Sequence, residues 1–165
     1  MKEIIEKISS YNIFTNLLPG VIFTILIKEI TGVNFAQSDV FETLFVYYFI
    51  GLILSRIGSI IIEPIFKRLK LVRYVEYSKF IYASSKDIKI DILLEANNTY
   101  RTFVSVFIVS LFIAIGKVSG IQLNMKIDVL KFIALFVLIV LFILSYSKNT
   151  KYIRSRIDKH IAKDK

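Results

Sequence analysis

The sequence predicts an all-α, polytopic membrane protein. Four spans form a bundle, with a helical cytoplasmic hairpin between the second and the third. Three observations carry this. Of 165 residues, 55% are hydrophobic, and the mean hydropathy is +0.64, too apolar for an ordinary soluble domain. Four separate apolar stretches reach, or nearly reach, the roughly 20 residues needed to cross about 30 Å of hydrocarbon. The formal charge of +9 gathers in two segments between or after those stretches. Four spans consume about half of the chain and leave no room for a separate enzymatic domain of about 100 residues.

Lys2 to Ile8 reads as an amphipathic start lying in the membrane surface, with Ile4, Ile5 and Ile8 on one face. Ser9 and Ser10 can cap the helix that follows. Span one covers 11–27. It is interrupted by Pro19-Gly20, where the missing N–H and the crowding of the Thr15 carbonyl predict a kink or break, or a broken helix of the kind that lines a transport site. No small-x-small cleavage pattern follows Ile27, so the stretch reads as a retained anchor. Lys28 to Asp39 is a short external loop. Span two covers 40–62, and Pro64 places a bend just beyond it.

The segment 64–101 is the largest polar stretch. Between Lys67 and Arg101 it holds eight Lys/Arg against four Asp/Glu. Ile88, Ile92, Leu93 and Ala96 give it helical periodicity, and Asp87, Asp91 and Glu95 read as a solvated face. Spans three and four cover 102–117 and 129–147, and a basic tail covers 148–165. Basic residues on the central segment and the tail place both in the cytoplasm, with both termini inside. Ile27–Asn34 and Ile115–Gln122 echo one another, each followed by an Asp-Val pair. Convergent capping explains that pattern, and two duplicated hairpins are the alternative.

Span two holds the residues that bear on function. An arginine inside a span costs about 2.5–3.5 kcal/mol near mid-membrane, so Arg56 needs a partner, a wet cavity or a path to the surface. Snorkelling to lipid phosphate is one solution. The other is a bundle interior or pore in which Arg56 pairs with Glu63, seven residues on, or with Asn97-Asn98. Gly51, Ser55 and Ser59 recur at four-residue spacing with Gly58 beside them, a ladder that allows close helix approach within or between chains. In the central segment Tyr74, Tyr77, Phe80 and Tyr82 alternate with Arg73 and Lys79, the surface expected to dock a soluble protein. His160, the single histidine, reads as a surface residue in the basic tail.

No cysteine is present, which excludes disulfides, thiolate catalysis and Cys-zinc sites. There is no Gly-rich phosphate loop, metal-ligand spacing or nucleophile motif, so no enzyme activity and no cofactor is expected. Juxtamembrane basic clusters point to the bilayer and its anionic head groups rather than directly to nucleic acid.

Ser9-Ser10-Tyr11-Asn12-Ile13-Phe14 followed by Leu17-Leu18-Pro19-Gly20 resembles the opening of a group of small bacterial four-span proteins without an assigned function. The resemblance extends to Tyr47–Leu52, Ser55–Ser59, Glu63-Pro64 and Asn97–Arg101, and no catalytic or ligand motif comes with it. In general plan the chain is also similar to small membrane components of phage-defence systems, such as the four-span subunit of Kiwa, which assembles as an oligomer and binds a cytoplasmic partner. The small-residue ladder, Arg56 and the aromatic-basic central segment point to a non-enzymatic component of the bacterial inner membrane: an oligomeric anchor, sensor or pore-forming effector with a cytoplasmic partner, for which the architectural resemblance implies a place in phage defence. An ion channel or transporter acting alone is the alternative.

Overall fold

A computed structural model describes residues 2–120 and 129–163, with side chains at 15–117 and 129–162. The described residues form helices and connections, with no strand among them. In chain order they are α1 (Lys2–Thr31), α2 (Val40–Ile57), a π-helical turn (Gly58–Ile62), α3 (Glu63–Arg68), α4 (Tyr77–Ser84), α5 (Ile88–Gly120) and α6 (Val129–Lys163). Three helical rods are long and apolar enough to cross a membrane: Val40–Arg68, Ile88–Lys117 and Val129–Ala162.

The helix α1 runs unbroken through Pro19, where a kink or break was expected. Pro19 and Gly20 are both buried. A Cβ on Gly20 would overlap the Tyr47 carbonyl, and one on Gly51 would overlap the Asn16 carbonyl. The two glycines therefore mark the crossing of α1 and α2, where backbone meets backbone. Packing of α2 against this turn compensates for the hydrogen bond that Pro19 cannot donate.

Past Ile57, α2 opens into the π-helical turn, in which the Glu63 N–H donates to the Gly58 carbonyl. Pro64 follows at once and has no N–H to continue an α-helical ladder. The wider turn absorbs that defect, and α3 resumes without a gap. It ends in a Schellman turn, with the Leu71 N–H donating to the Phe66 carbonyl (2.9 Å) and the Lys70 N–H to the Lys67 carbonyl (3.1 Å). Lys70 sits there at φ 58°, the left-handed region that favours glycine. Lys70→Gly is expected to stabilise the fold by about 1 kcal/mol, read as a higher denaturant midpoint in detergent. An unchanged or lower midpoint would mean that Lys70 is not strained.

The hub of the bundle is α5. It packs against α1, α2 and α6 along the apolar length and against α4 at the polar end. Its side chains include Asn97, Thr102, Val104, Ser105, Val106 and Ser110, all fully buried. Thr102 and Ser105 donate their hydroxyls to the carbonyls of Asn98 and Arg101, so their polarity is met locally and their small size allows close packing. Leu54, Phe103, Val106, Phe107, Leu135 and Ile139 fill the centre.

The boundaries differ from the expected ones. Helix α5 begins fourteen residues before the expected start of span three at 102, and α6 passes through the expected end of span four at 147. Both rods continue from apolar to polar sequence without a break. With α4 they form a three-helix unit whose own core is Ala83, Ile90, Ile153 and Ile157. The basic tail expected after 147 is thus the third helix of that unit. Of the second copy of the internal echo, Ile121, Gln122 and Asp128 lie outside the described residues, as do the side chains of the amphipathic start.

Candidate functional site

Two polar clusters join the apolar bundle to the three-helix unit. The first centres on Glu63. Its carboxylate accepts from Arg101 on α5 and sits 2.7 Å from Lys67 Nζ. Glu63 and Arg101 are only 17% and 13% exposed, so this charge pair lies largely inside protein. Lys67 Nζ also lies 4.6 Å above the Tyr74 ring. Gly58 makes room for the pair: a Cβ there would meet Ser105 Oγ at 2.8 Å and Arg101 Cγ at 3.3 Å.

A chain of hydrogen bonds leads inward from Tyr74. Its hydroxyl is 2.5 Å from that of Tyr146 and accepts from Asn97 Nδ2 at 3.4 Å. Asn97 Oδ1 accepts from Asn149 Nδ2 (3.3 Å), and the Thr150 hydroxyl stands 3.1 Å from it. Asn149 also donates to the Leu93 carbonyl at 2.7 Å. Burial pushes the Tyr74 hydroxyl above its ordinary pKa, so it remains protonated at neutral pH. Such a satisfied chain admits one register between α5 and α6, since a slip would leave buried amides unpaired.

The second cluster is an elbow. Asp87 caps α5 by accepting the Lys89 N–H at 3.1 Å. The same carboxylate accepts from Arg156 Nε, from Arg156 Nη2 at 3.2 Å, and contacts His160 Nε2 at 3.0 Å. Sequence reasoning placed Asp87 on a solvated face and His160 on the surface without a partner. The structure corrects both: Asp87 is 10% exposed, and His160 reaches it from 73 positions away. The sequence alone could not bring them together, because the contact depends on α6 continuing past 147 as a helix.

The Arg156 hydrogen bond chiefly, then those from His160 and the Lys89 amide, hold the Asp87 carboxyl down to about 2. A carboxyl with a lowered folded-state pKa stabilises the fold above its ordinary value of 3.8 and loses that contribution as pH falls toward about 2. Spin labels at Ser85 and Lys159 are therefore expected to separate as pH drops from about 4 to about 2. Asp87→Asn retains the cap and removes the charge, so its labels should stand apart at pH 7 and show a flat profile. Identical profiles for both proteins would show that the elbow is not held by charge.

The expected partnership of Arg56 is not the one formed. Arg56 is exposed on α2, whereas Glu63 turns inward to Arg101. The π-helical turn between them supplies the reason: one extra residue in a turn rotates everything after it by about 100° relative to an uninterrupted helix. The small-residue ladder divides as well. Gly51 meets α1 and Gly58 meets α5, while Ser55 and Ser59 are half-buried, so the buried stripe reads Gly51, Leu54, Gly58, Ile62.

Of the expected docking residues, Arg73, Tyr77, Lys79 and Tyr82 are exposed. Tyr74 belongs to the inner hydrogen-bond chain, and Phe80 packs against the core of the three-helix unit. The structure adds Ile81, Ile88 and Ile92, all exposed on α4 and the first turns of α5. For Ile88 and Ile92 the signal was present in the sequence as four-residue spacing opposite the buried Ile90.

No family model, curated protein or solved structure matches this chain.

Among the described residues, no group of three or more His, Asp or Glu side chains gathers as a metal site would require.

Proposed function

We propose that this chain is a non-enzymatic component of the bacterial inner membrane that holds a cytoplasmic protein on the unit built by α4 and the polar ends of α5 and α6. It crosses the bilayer four times, through α1, α2–α3, α5 and α6, with both termini in the cytoplasm. The observation that carries the reading is the continuity of α5 and α6 from apolar window into polar unit, locked by the Glu63–Arg101 pair and the Asn97 chain. A platform built this way moves with its membrane rods and cannot swing free of them.

Exposed apolar residues on that unit support the docking role. Ile88 lies 13 residues before Arg101 on one helix, about 20 Å away by helical rise. Head-group layers are only about 5–8 Å deep on each side, so lipid does not cover Ile88 and a protein is the fitting occupant. The orientation rests on exposed cations at this end, Arg68, Lys70, Arg73, Lys148 and Lys151 among them.

Purification in mild detergent, reading particle mass and composition together, tests the proposal. A stoichiometric soluble protein, lost in Ile81→Glu, is the expected result. The resemblance to phage-defence subunits makes protection from phage the activity to score alongside. A partner-free particle that passes ions in liposomes would replace this reading with that of an autonomous channel. Arg56, exposed on α2, is assigned to contact between copies. Arg56→Leu is expected to leave the protomer folded and reduce particle mass, and an unchanged mass would remove it from that role.

A further inference from the structure

The turn after α3 and the middle of α6 together build a surface separate from the exposed apolar residues of α4 and the start of α5. The Ser147 hydroxyl donates to the Leu71 carbonyl at 2.6 Å, and Val72 packs with Tyr146 and Phe66. This pins residues 70–73 against α6 beside Lys148 and one turn before Lys151. Lys151 is four residues past Ser147 and shares its face. Four exposed cations, Lys70, Arg73, Lys148 and Lys151, are thus brought to one level from two segments 75 or more residues apart. Among the described residues, none of the four forms an ion pair. The nearest carboxylate on α3, Glu63, is occupied by Arg101 and Lys67.

Immediately on the apolar side of these cations the surface changes character. Leu69 is 61% exposed and Leu144 is 63% exposed, one on each segment. The boundary between exposed leucine and exposed cation therefore falls at the same height on both, with Lys148 Nζ 5.8 Å over the Tyr152 ring. A ligand that fits must carry negative charge at one end and long apolar chains at the other.

We infer that Lys70, Arg73, Lys148 and Lys151 form a binding site for the phosphate head of an anionic phospholipid, whose acyl chains lie along Leu69 and Leu144. Charge complementarity and the apolar border select a phospholipid over a free anion, which has no use for the leucines, and over an acidic protein, which would sit beyond the head-group layer. The site is independent of the docking surface on α4.

The experiment uses the full chain, stripped of lipid in detergent and placed in nanodiscs of phosphatidylcholine with one-tenth phosphatidylglycerol. Lipids retained on release are counted by native mass spectrometry. Wild type is expected to retain phosphatidylglycerol, and Lys70→Gln with Lys148→Gln to lower its enrichment about thirtyfold, a factor of about five per cation near an anionic surface. Lys131→Gln, on the opposite end of α6, serves as the control and should change nothing. Equal retention of the two lipids by wild type, or unchanged enrichment in the double variant, would overturn the inference. So would inorganic phosphate at 10 mM displacing the lipid fully, since the acyl border would then contribute nothing.

Discussion

Gly51→Ala is expected to take α1 away from α2. The new methyl group would overlap the backbone carbonyl of Asn16, and no rotamer change can move a backbone carbonyl inside a helix. Overpacking of a side-chain core costs about 1–3 kcal/mol. Here the helices themselves must separate, along with the contacts that Ile22, Phe23 and Leu26 make with the central cluster, so a loss of at least about 3 kcal/mol is expected. Gly20→Ala should behave alike, since its Cβ overlaps the Tyr47 carbonyl. Gly58→Ala is the informative contrast. Its nearest neighbour is the Ser105 hydroxyl at 2.8 Å, a side-chain end that can rotate, so about 1 kcal/mol is expected. Unfolding in detergent by steric trapping, with a proximity label between α1 and α2, reads all three. Equal effects at Gly51 and Gly58 would show that backbone contact does not set the crossing.

Arg101→Met is expected to cost about 3–5 kcal/mol, because it leaves the Glu63 carboxylate largely buried without its main counter-charge. Lys67 remains, but its side chain is half exposed and its pair is an i,i+4 surface contact worth about 0.3–0.5 kcal/mol. The harm therefore lies in the orphaned charge more than in the lost attraction. The double variant Glu63→Gln with Arg101→Met should recover most of the stability, and the coupling between the two sites should exceed about 1.5 kcal/mol. A double-mutant cycle measures this directly. Purely additive losses would mean that the two residues contribute separately. The same cycle reports on the platform: if the pair locks the three-helix unit to the rods, loss of the pair should also raise proteolytic cutting in the 69–76 connection.

The interior of α5 illustrates how far the sequence could be read. Composition and apolar run length are enough to predict helices that cross a membrane, because an apolar stretch of that length has few other stable fates. The bounding of α2 by Asp39 was equally legible: its carboxylate accepts from the Phe41 and Glu42 amides. Span two nevertheless looked like the centre, since its arginine and glycines stood out against an apolar background. Centrality instead belongs to α5, whose Thr102, Ser105 and Ser110 are quiet residues in a linear reading. Small polar side chains allow close approach on every side, but whether they are used that way depends on which helices arrive.

Local chemistry decided what the sequence alone determined: apolar length for the rods, the Asp39 cap for the start of α2, and charge asymmetry for the direction proposed. Only the tertiary structure decided which groups meet. The π-helical turn before Pro64 rotated Glu63 away from Arg56 and toward Arg101, and the unbroken course of α6 carried Arg156 and His160 to Asp87. Neither outcome is visible in a residue count. Each partner is chosen by a rotation of about one residue or by a helix continuing past its apolar window, and partners 38 and 69 positions apart are joined only once packing has fixed both.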